Sequence, residues 1–259
     1  MLVDFCLPIH NEELILENSL NKLISYCTQA GFDFSWRIVG IVNGSSDASA
    51  DILRDFKRRF PGKIDFIEVP ESGKGRAIKK YWSLSQADVL SFMDCDLVVA
   101  LNNLPALIMP LVNNEADLTI GSRFIPGATV KRSLFREFIS QAYSLLSRLL
   151  LNHKISDLQC GFKAVRRETF WQITPYLLDD YWFFDTELIL LALHFGRRVI
   201  QVPVDWKNNR YQRRPSTVKI WRDSWAFLKN TFAFRRRLKN IPIMDQARQT
   251  GRPIYRNNN

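Results

Sequence analysis

Histidine, cysteine and long apolar runs are all scarce in this chain, and each scarcity removes a class of protein. Its only histidines are His10, His153 and His194, at spacings that suit no metal centre. The four cysteines, Cys6, Cys27, Cys95 and Cys160, stand far apart without a CxxC pair. That pattern argues against a zinc site or a disulfide framework and fits a reducing cytosol. Nowhere do about 18 apolar residues, the length that spans a bilayer, run without a charge or a breaker. LILLALHF (188–195) is far too short, and LPALIMPLV (104–112) carries two prolines. The opening MLVDFCLPIHNEE turns acidic too soon for a signal peptide. No internal repeat is visible, and low complexity is confined to the terminal RNNN. These absences leave a cytoplasmic protein without a span of its own as the expectation.

What is present is a core. Hydrophobic residues make up 46% of 259, enough to bury one large α/β domain with or without an appended tail. Net charge is +10 but unevenly placed. From Arg197 onward there are sixteen Lys/Arg against three acids, a local +13, which leaves the first 196 residues at −3. Such asymmetry points to an anionic partner: a lipid surface, nucleic acid or a phosphorylated substrate.

Strand-like runs at 2–9, 37–42, 63–69, 88–94, 116–121 and 198–204 alternate with helical patterns at about 12–30, from Ser46 or Asp47, and at 73–85, 103–113 and 184–196. Strands alternating with helices predict a mostly parallel sheet covered on both faces. The second half changes character, with an apolar-rich helix at 133–151 and a strand leading into a turn at 160–168. A helix from Ser216 to about Leu238 carries Val218, Trp221, Trp225, Leu228 and Phe232 on one stripe and basic residues elsewhere. That stripe can pack on the core or lie in a membrane interface. No fold signature supports nucleic-acid binding. The division expected is a domain over 1–215 and a basic amphipathic helix with a flexible tail over 216–259.

Asp94-Cys95-Asp96 follows an apolar strand directly. In an open α/β sheet, ligands bind at the carboxyl ends of strands. Two carboxylates there can aim at one hard cation, which in turn bridges phosphate oxygens. A departing nucleoside diphosphate builds negative charge that such a cation stabilises. Alone, a DxD is weak evidence, and its company decides.

That company resembles the family 2 glycosyltransferases of GT-A fold, specifically the dolichyl-phosphate mannose and polyprenyl-phosphate glucose synthases. LPIHNEE (7–13) is similar to the family's PxYNE element, IVNGSSD (41–47) to VDDGSxD, and GKGRAI (73–78) to GKGxAL. FMDCDL (92–97) resembles FMDADL, IGSRF (120–124) IGSRY, and DLQCGFKAVRRE (157–168) DxxCGFRAFRRE. FDTEL (184–188) and VPVDW (202–206) match in order and spacing, so the likeness runs from about residue 2 to 220.

The resemblance implies a GT-A (Rossmann-like) fold and an inverting transfer of a hexose from a GDP-mannose- or UDP-glucose-type donor to a polyprenyl or dolichyl phosphate, with Mg²⁺ or Mn²⁺. It puts Pro8, Asn11 and Glu12 near the donor base and ribose, and Asp47, Lys74 and Arg76 on the donor side. Asp94 and Asp96 handle nucleotide and metal. Arg123 meets the acceptor phosphate, Asp157 acts as base or orients the acceptor, and Asp185 and Glu187 close the sugar pocket. Many relatives append membrane helices; this chain would rely on its basic tail or on a membrane-bound partner. Departures are Val42 and Asn43 in place of two aspartates, Val98 two residues past the DxD, and His10 before Asn11. They imply an altered nucleotide preference or weaker metal binding. A saccharide or soluble acceptor, or a binding protein on a degenerate GT-A fold, are the alternatives.

Overall fold

The computed structural model describes residues 1–131, 134–207, 220–242 and 255–257, with backbone alone for 134–140, 220–226 and 255–257. Strand β1 (Leu2–Ile9) shows why the sheet is buried on both faces. Val3, Phe5, Leu7 and Ile9 enter one core cluster while Cys6 enters the other. β2 (Ser35–Asn43) repeats the pattern, with Ile38 and Val42 on one side and Val39 and Ile41 on the other. The first cluster is roofed by α1 (Glu13–Gln29), α2 (Ser49–Arg59) and α4 (Leu104–Val112). α3 (Lys74–Trp82), α6 (Arg167–Ile173) and α7 (Phe184–His194) cover the second.

β3 (Ile64–Val69), β4 (Val89–Met93), β5 (Leu118–Ser122), β7 (Phe162–Arg166), β8 (Val199–Pro203) and β10 (Tyr255–Asn257) complete an eight-stranded sheet. Its order is β10-β8-β5-β7-β4-β1-β2-β3. The chain runs from β1 outward through β2 to β3, then returns to place β4 on the other side of β1. The crevice at such a reversal is where α/β sheets bind ligands.

Two features lie outside the simple alternation. β7 runs antiparallel to both β4 and β5. Its beginning, not its end, therefore reaches the ligand edge, and Met93 pairs with Phe162. The expected turn after it is α6. The closing residues, read from sequence as a tail, contribute β10, which pairs in parallel with β8. A small second sheet joins β6 (Thr129–Lys131) to β9 (Asp205–Lys207).

α5 (Leu134–Leu151) packs against α8 (Ile220–Leu238), where the rings of Tyr143 and Phe227 lie 5.1 Å apart. On α8, Phe234 is 1% exposed and Phe227 and Leu238 pack beside it on the second core cluster. Phe232, expected on the apolar stripe, is instead 51% exposed. Leu228, also on that stripe, is half-buried, so Phe232 is a stripe residue that the core does not cover. Ser216 and Val218 lie outside the described residues, as do the side chains of Trp221 and Trp225. Among the described residues no helix is long and apolar enough to cross a membrane.

Candidate active site at the carboxyl edge of the sheet

β4 ends at Met93, and Asp94 to Leu97 turn the chain back, with the Leu97 N–H donating to the Asp94 carbonyl. Leu97 closes this turn at φ 47°, a left-handed conformation that costs a branched residue on the order of 1–3 kcal/mol and concentrates at functional sites. Cys95 is buried in the core between the two acids. Beside them β7 begins. The Asp94 N–H donates to the Gly161 carbonyl at 3.1 Å, and a Cβ on Gly161 would lie 2.1 Å from Asp94 Oδ2. Only glycine leaves room there for the carboxylate.

Asp94 is one end of a chain of four charges. Lys74, at the first turn of α3, puts its Nζ 3.1 Å from Asp94 Oδ1 and 3.3 Å from Asp185 Oδ2. Lys163, fully buried on β7, donates to Asp185 Oδ1 at 2.5 Å and to the Cys160 carbonyl at 2.6 Å. Burial opposes the charge on Lys74, but Asp185 and Asp94 outweigh it and hold its pKa above the ordinary lysine value. Gly73, at φ 146°, starts α3 and donates to Asn43 Oδ1; a Cβ there would meet the Asp180 carbonyl at 2.6 Å.

Arg123 follows β5 and grips Asp157. Its backbone N–H and Nε donate to Asp157 Oδ2 at 3.1 and 2.6 Å, and Nη2 donates to Oδ1 at 2.9 Å. Oδ1 also accepts the Gln159 N–H. Burial pushes the Asp157 carboxyl up, yet the Arg123 charge and its donated bonds prevail and hold it below the ordinary value. The Asp94 charge in turn reaches Arg123, joining Asp157 in raising the guanidinium pKa against burial. Cys160, between these groups, has its thiol pushed up to about 12 by burial and then by Asp157, so it stays protonated.

The remaining predicted residues divide into two sets. Asn11, at φ 55°, exchanges bonds with the loop after β2: its N–H donates to Ser45 Oγ, and its Oδ1 accepts the Ser46 N–H. The Glu12 carbonyl opens α1, its N–H donates to Ser49 Oγ, and Pro8 lies on β1 beside Ile41. Asp47 accepts the N–H groups of Glu13 and Ser49, bracing the same loop. Farther along, Arg76 forks onto Asp180 and also pairs with Glu71. Glu187 accepts the Leu178 and Asp179 N–H groups and an Arg237 bond from α8. Asp185 belongs to the Lys74 chain, and Glu187 and Arg76 brace the segment 176–183 that borders it.

Two contributors had no weight in the sequence reading. Lys163 was one letter of a matched motif; its burial beside Asp185 is set by β7 running backwards. Asn43, counted as a departure, donates Nδ2–H to the Ile9 carbonyl at 2.7 Å while Oδ1 receives Gly73. An aspartate has no such donor, so Asn43→Asp would set a carboxylate against a buried carbonyl. The expected cost is about 1–3 kcal/mol, visible as a lower thermal midpoint. An unchanged midpoint would show the amide is dispensable. Val98 is buried and its carbonyl accepts the Lys207 N–H, so it serves the join to β9.

The donor set suits a hard cation that keeps other ligands. Among the described residues no three His, Cys, Asp or Glu side chains converge. Asp94 and Asp96 would supply carboxylates, and diphosphate oxygens and water the rest, as is usual for Mg²⁺-type sites. The cleared space at Gly161 accommodates the Asp94 carboxylate that such a site requires.

Comparison with known proteins agrees with this geometry. Glycosyltransferase AglD of Haloferax volcanii is 30% identical over 209 residues, covering 79% of this chain and 33% of its own length. Dolichyl-phosphate beta-glucosyltransferase ALG5C of Trichomonas vaginalis is 28% identical over 213 residues, covering 78% of this chain and 63% of its own. The chain thus spans between a third and just under two-thirds of these relatives. In fold it is similar to glucosyl-3-phosphoglycerate synthase from Mycobacterium tuberculosis, solved with Mn²⁺, UDP and glucosyl-3-phosphoglycerate. The TM-score is 0.61 at 19% identity, covering 93% of this chain and 80% of that one. The model of glycosyl transferase family 2 matches residues 4–174, about two-thirds of the sequence. This chain belongs to glycosyl transferase family 2.

Proposed function

We propose that the protein is an inverting, metal-dependent hexosyltransferase that moves a sugar from a GDP-mannose- or UDP-glucose-type donor to a polyprenyl or dolichyl phosphate at a membrane surface. The observation that carries this reading is the meeting at one sheet edge of Asp94 and Asp96 with two buried cations, Lys74 and Arg123. Such an edge suits a reaction with anions on both sides, a diphosphate that leaves and a phosphate that attacks. The names of the relatives, dolichyl-phosphate glucosyltransferases among them, support the same acceptor class.

In the reaction, the bond from the sugar's C1 to the diphosphate oxygen breaks as a phosphate oxygen of the acceptor bonds C1 from the opposite face. Asp94 and Asp96 would hold Mg²⁺ or Mn²⁺, which when bound would supply Lewis-acid stabilisation of the leaving oxygens. Lys74 faces the same leaving group. A phosphate acceptor is already ionised at neutral pH, so no strong base is needed. This accords with Asp157, whose oxygens are committed to Arg123 and the Gln159 N–H. Of its two expected roles, base or orientation of the acceptor, the second is the better supported, exercised through its hold on Arg123. Asn11, Glu12 and Pro8, at the end of β1, and Asp47 behind them would shape the nucleoside pocket. Asp185 and Glu187 would close the sugar side, with Arg76 fixing the border segment.

The catalytic domain would cover 1–215 and the basic extension 216–259. Peripheral placement at a membrane, expected on its cytoplasmic side, draws support for the membrane contact alone from an exposed apolar patch on α5, where Leu145 and Leu149 are 55% and 73% exposed. Phe232 on the adjoining α8 extends the exposed apolar set. Retention by a membrane-bound partner has no observation behind it and is set aside. Leu145→Glu with Leu149→Glu should cut co-sedimentation with anionic vesicles by about tenfold or more, given some 1.5–3 kcal/mol per buried leucine. Undiminished binding would place the lipid contact elsewhere.

The decisive test offers labelled GDP-mannose or UDP-glucose with Mn²⁺ or Mg²⁺ and polyprenyl phosphate in vesicles. Label should move into the organic extract. Label staying in water as a new glycoside would point to a soluble acceptor, and no donor consumption at all would sink the enzyme reading.

A further inference from the structure

Lys74 is only 8% exposed, yet its ammonium sits 3.1 Å from Asp94, the carboxylate a cation would claim. We propose that Lys74 is the counter-ion a divalent cation must displace from Asp94, so that metal and nucleoside diphosphate are admitted together. This rests on the reading above that a nucleoside diphosphate binds at this edge.

Apart from Asp96, the charges around Lys74 are balanced. Lys74 and Lys163 face Asp94 and Asp185, two against two, in a largely buried chain. Asp185 cannot follow Lys74 outward, because Lys163 holds it at 2.5 Å and is itself fully buried. With Asp96 counted as the second carboxylate, a dication beside Asp94 would leave two lysines and the metal against three acids, one positive charge in excess, with an ammonium within a few ångströms in poor solvent. Metal alone must therefore compete with a cation already in place. A diphosphate removes the conflict, since it brings the missing negative charge and gives the ammonium a second anion.

The surroundings allow the exchange. Lys74 Nζ keeps Asp185 at 3.3 Å as a pivot while it leaves Asp94. Phe92 and Trp182 present ring faces to the ammonium at 4.7 and 5.4 Å, so a short displacement still finds favourable partners. Trp182 is 42% exposed, which puts this path on the open side of the site. Because coupling between two ligands is reciprocal, nucleotide must tighten metal binding by the same factor that metal tightens nucleotide.

The test measures Mn²⁺ binding to the full-length protein by electron paramagnetic resonance of free Mn²⁺, alone and with saturating UDP or GDP. Wild type should bind Mn²⁺ at least about tenfold more weakly alone than with the nucleotide it accepts. Lys74→Met should bind Mn²⁺ alone about tenfold more tightly than wild type and lose most of the coupling. Lys74→Arg, which keeps the charge, should behave as wild type. Lys74→Gln, which retains a polar terminus for Asp94 and Asp185, replaces the methionine variant if the latter melts. Uncharged variants that bind Mn²⁺ alone no better than wild type overturn the role of Lys74 while leaving the nucleotide site intact. If wild type binds neither nucleotide with Mn²⁺, the donor-site reading falls and this inference with it.

Discussion

Asp96→Asn is expected to reduce turnover by about a thousandfold or more while leaving the fold in place. The substitution keeps size and shape and removes one negative charge from the turn after β4. A Lewis-acid cation contributes several kcal/mol to a transition state with a departing anion. At 1.36 kcal/mol per decade, loss of about 4 kcal/mol corresponds to a factor near 10³. The side chain stands at a partly exposed turn, so the thermal midpoint should move little. Gly161→Ala approaches the same site without touching an acid. Its Cβ would fall 2.1 Å from Asp94 Oδ2, forcing the carboxylate aside, and turnover should fall by about a hundredfold. Single-turnover product formation reads both. Wild-type rates in the Asp96 variant would remove the cation from the reaction, and wild-type rates in the Gly161 variant would show that the Asp94 position is not critical.

The second large effect is on the Arg123–Asp157 pair. Asp157→Asn leaves a buried guanidinium without its counter-charge, a change that costs about 3–5 kcal/mol where such pairs are broken. For a chain of this size that corresponds to a thermal midpoint lower by roughly 10 °C. The pH dependence has a fixed sign. The Asp157 carboxyl is held below its ordinary value of 3.8, so the folded state gives up that proton more readily than the unfolded chain. Its contribution is fully present above pH 3.8 and is lost as the pH falls below that value toward the folded-state pKa. The variant should lack this acid-limb loss. Kinetically, a misplaced Arg123 should raise the KM for acceptor more than that for donor. A variant of wild-type stability that lost only kcat, together with the acid limb of the pH–rate profile, would return Asp157 to the role of base.

These two predictions mark where sequence reading succeeds and where it stops. Short continuous apolar runs located β1, β2 and β4, and with them the turn bearing Asp94 and Asp96, because burial on both faces leaves a local signature. Pairings across the fold leave none. Lys74 and Asp185 are 111 residues apart, and Arg123 and Asp157 are 34 apart. Each looked like a separate ligand contact until packing made them partners. The antiparallel β7 is equally silent in sequence, since a central buried strand reads the same in either direction. For the stripe through Phe232 the sequence left core packing and a membrane interface open because α8 carries aromatics all around, and the choice of core-facing residues falls to the neighbours Tyr143 and Phe183 around Phe227 and Phe234.

The last helix is also a lever. Arg237 bonds Glu187 and the Tyr176 carbonyl, and Asn230 bonds Asp179. The next residue, Asp180, clasps Arg76 and Lys79 on α3, two and five positions beyond Lys74. These contacts tie α8 to the helix that carries Lys74. Should that helix be drawn toward a bilayer, arrival at the acceptor's home and readiness of the donor pocket would become one mechanical event.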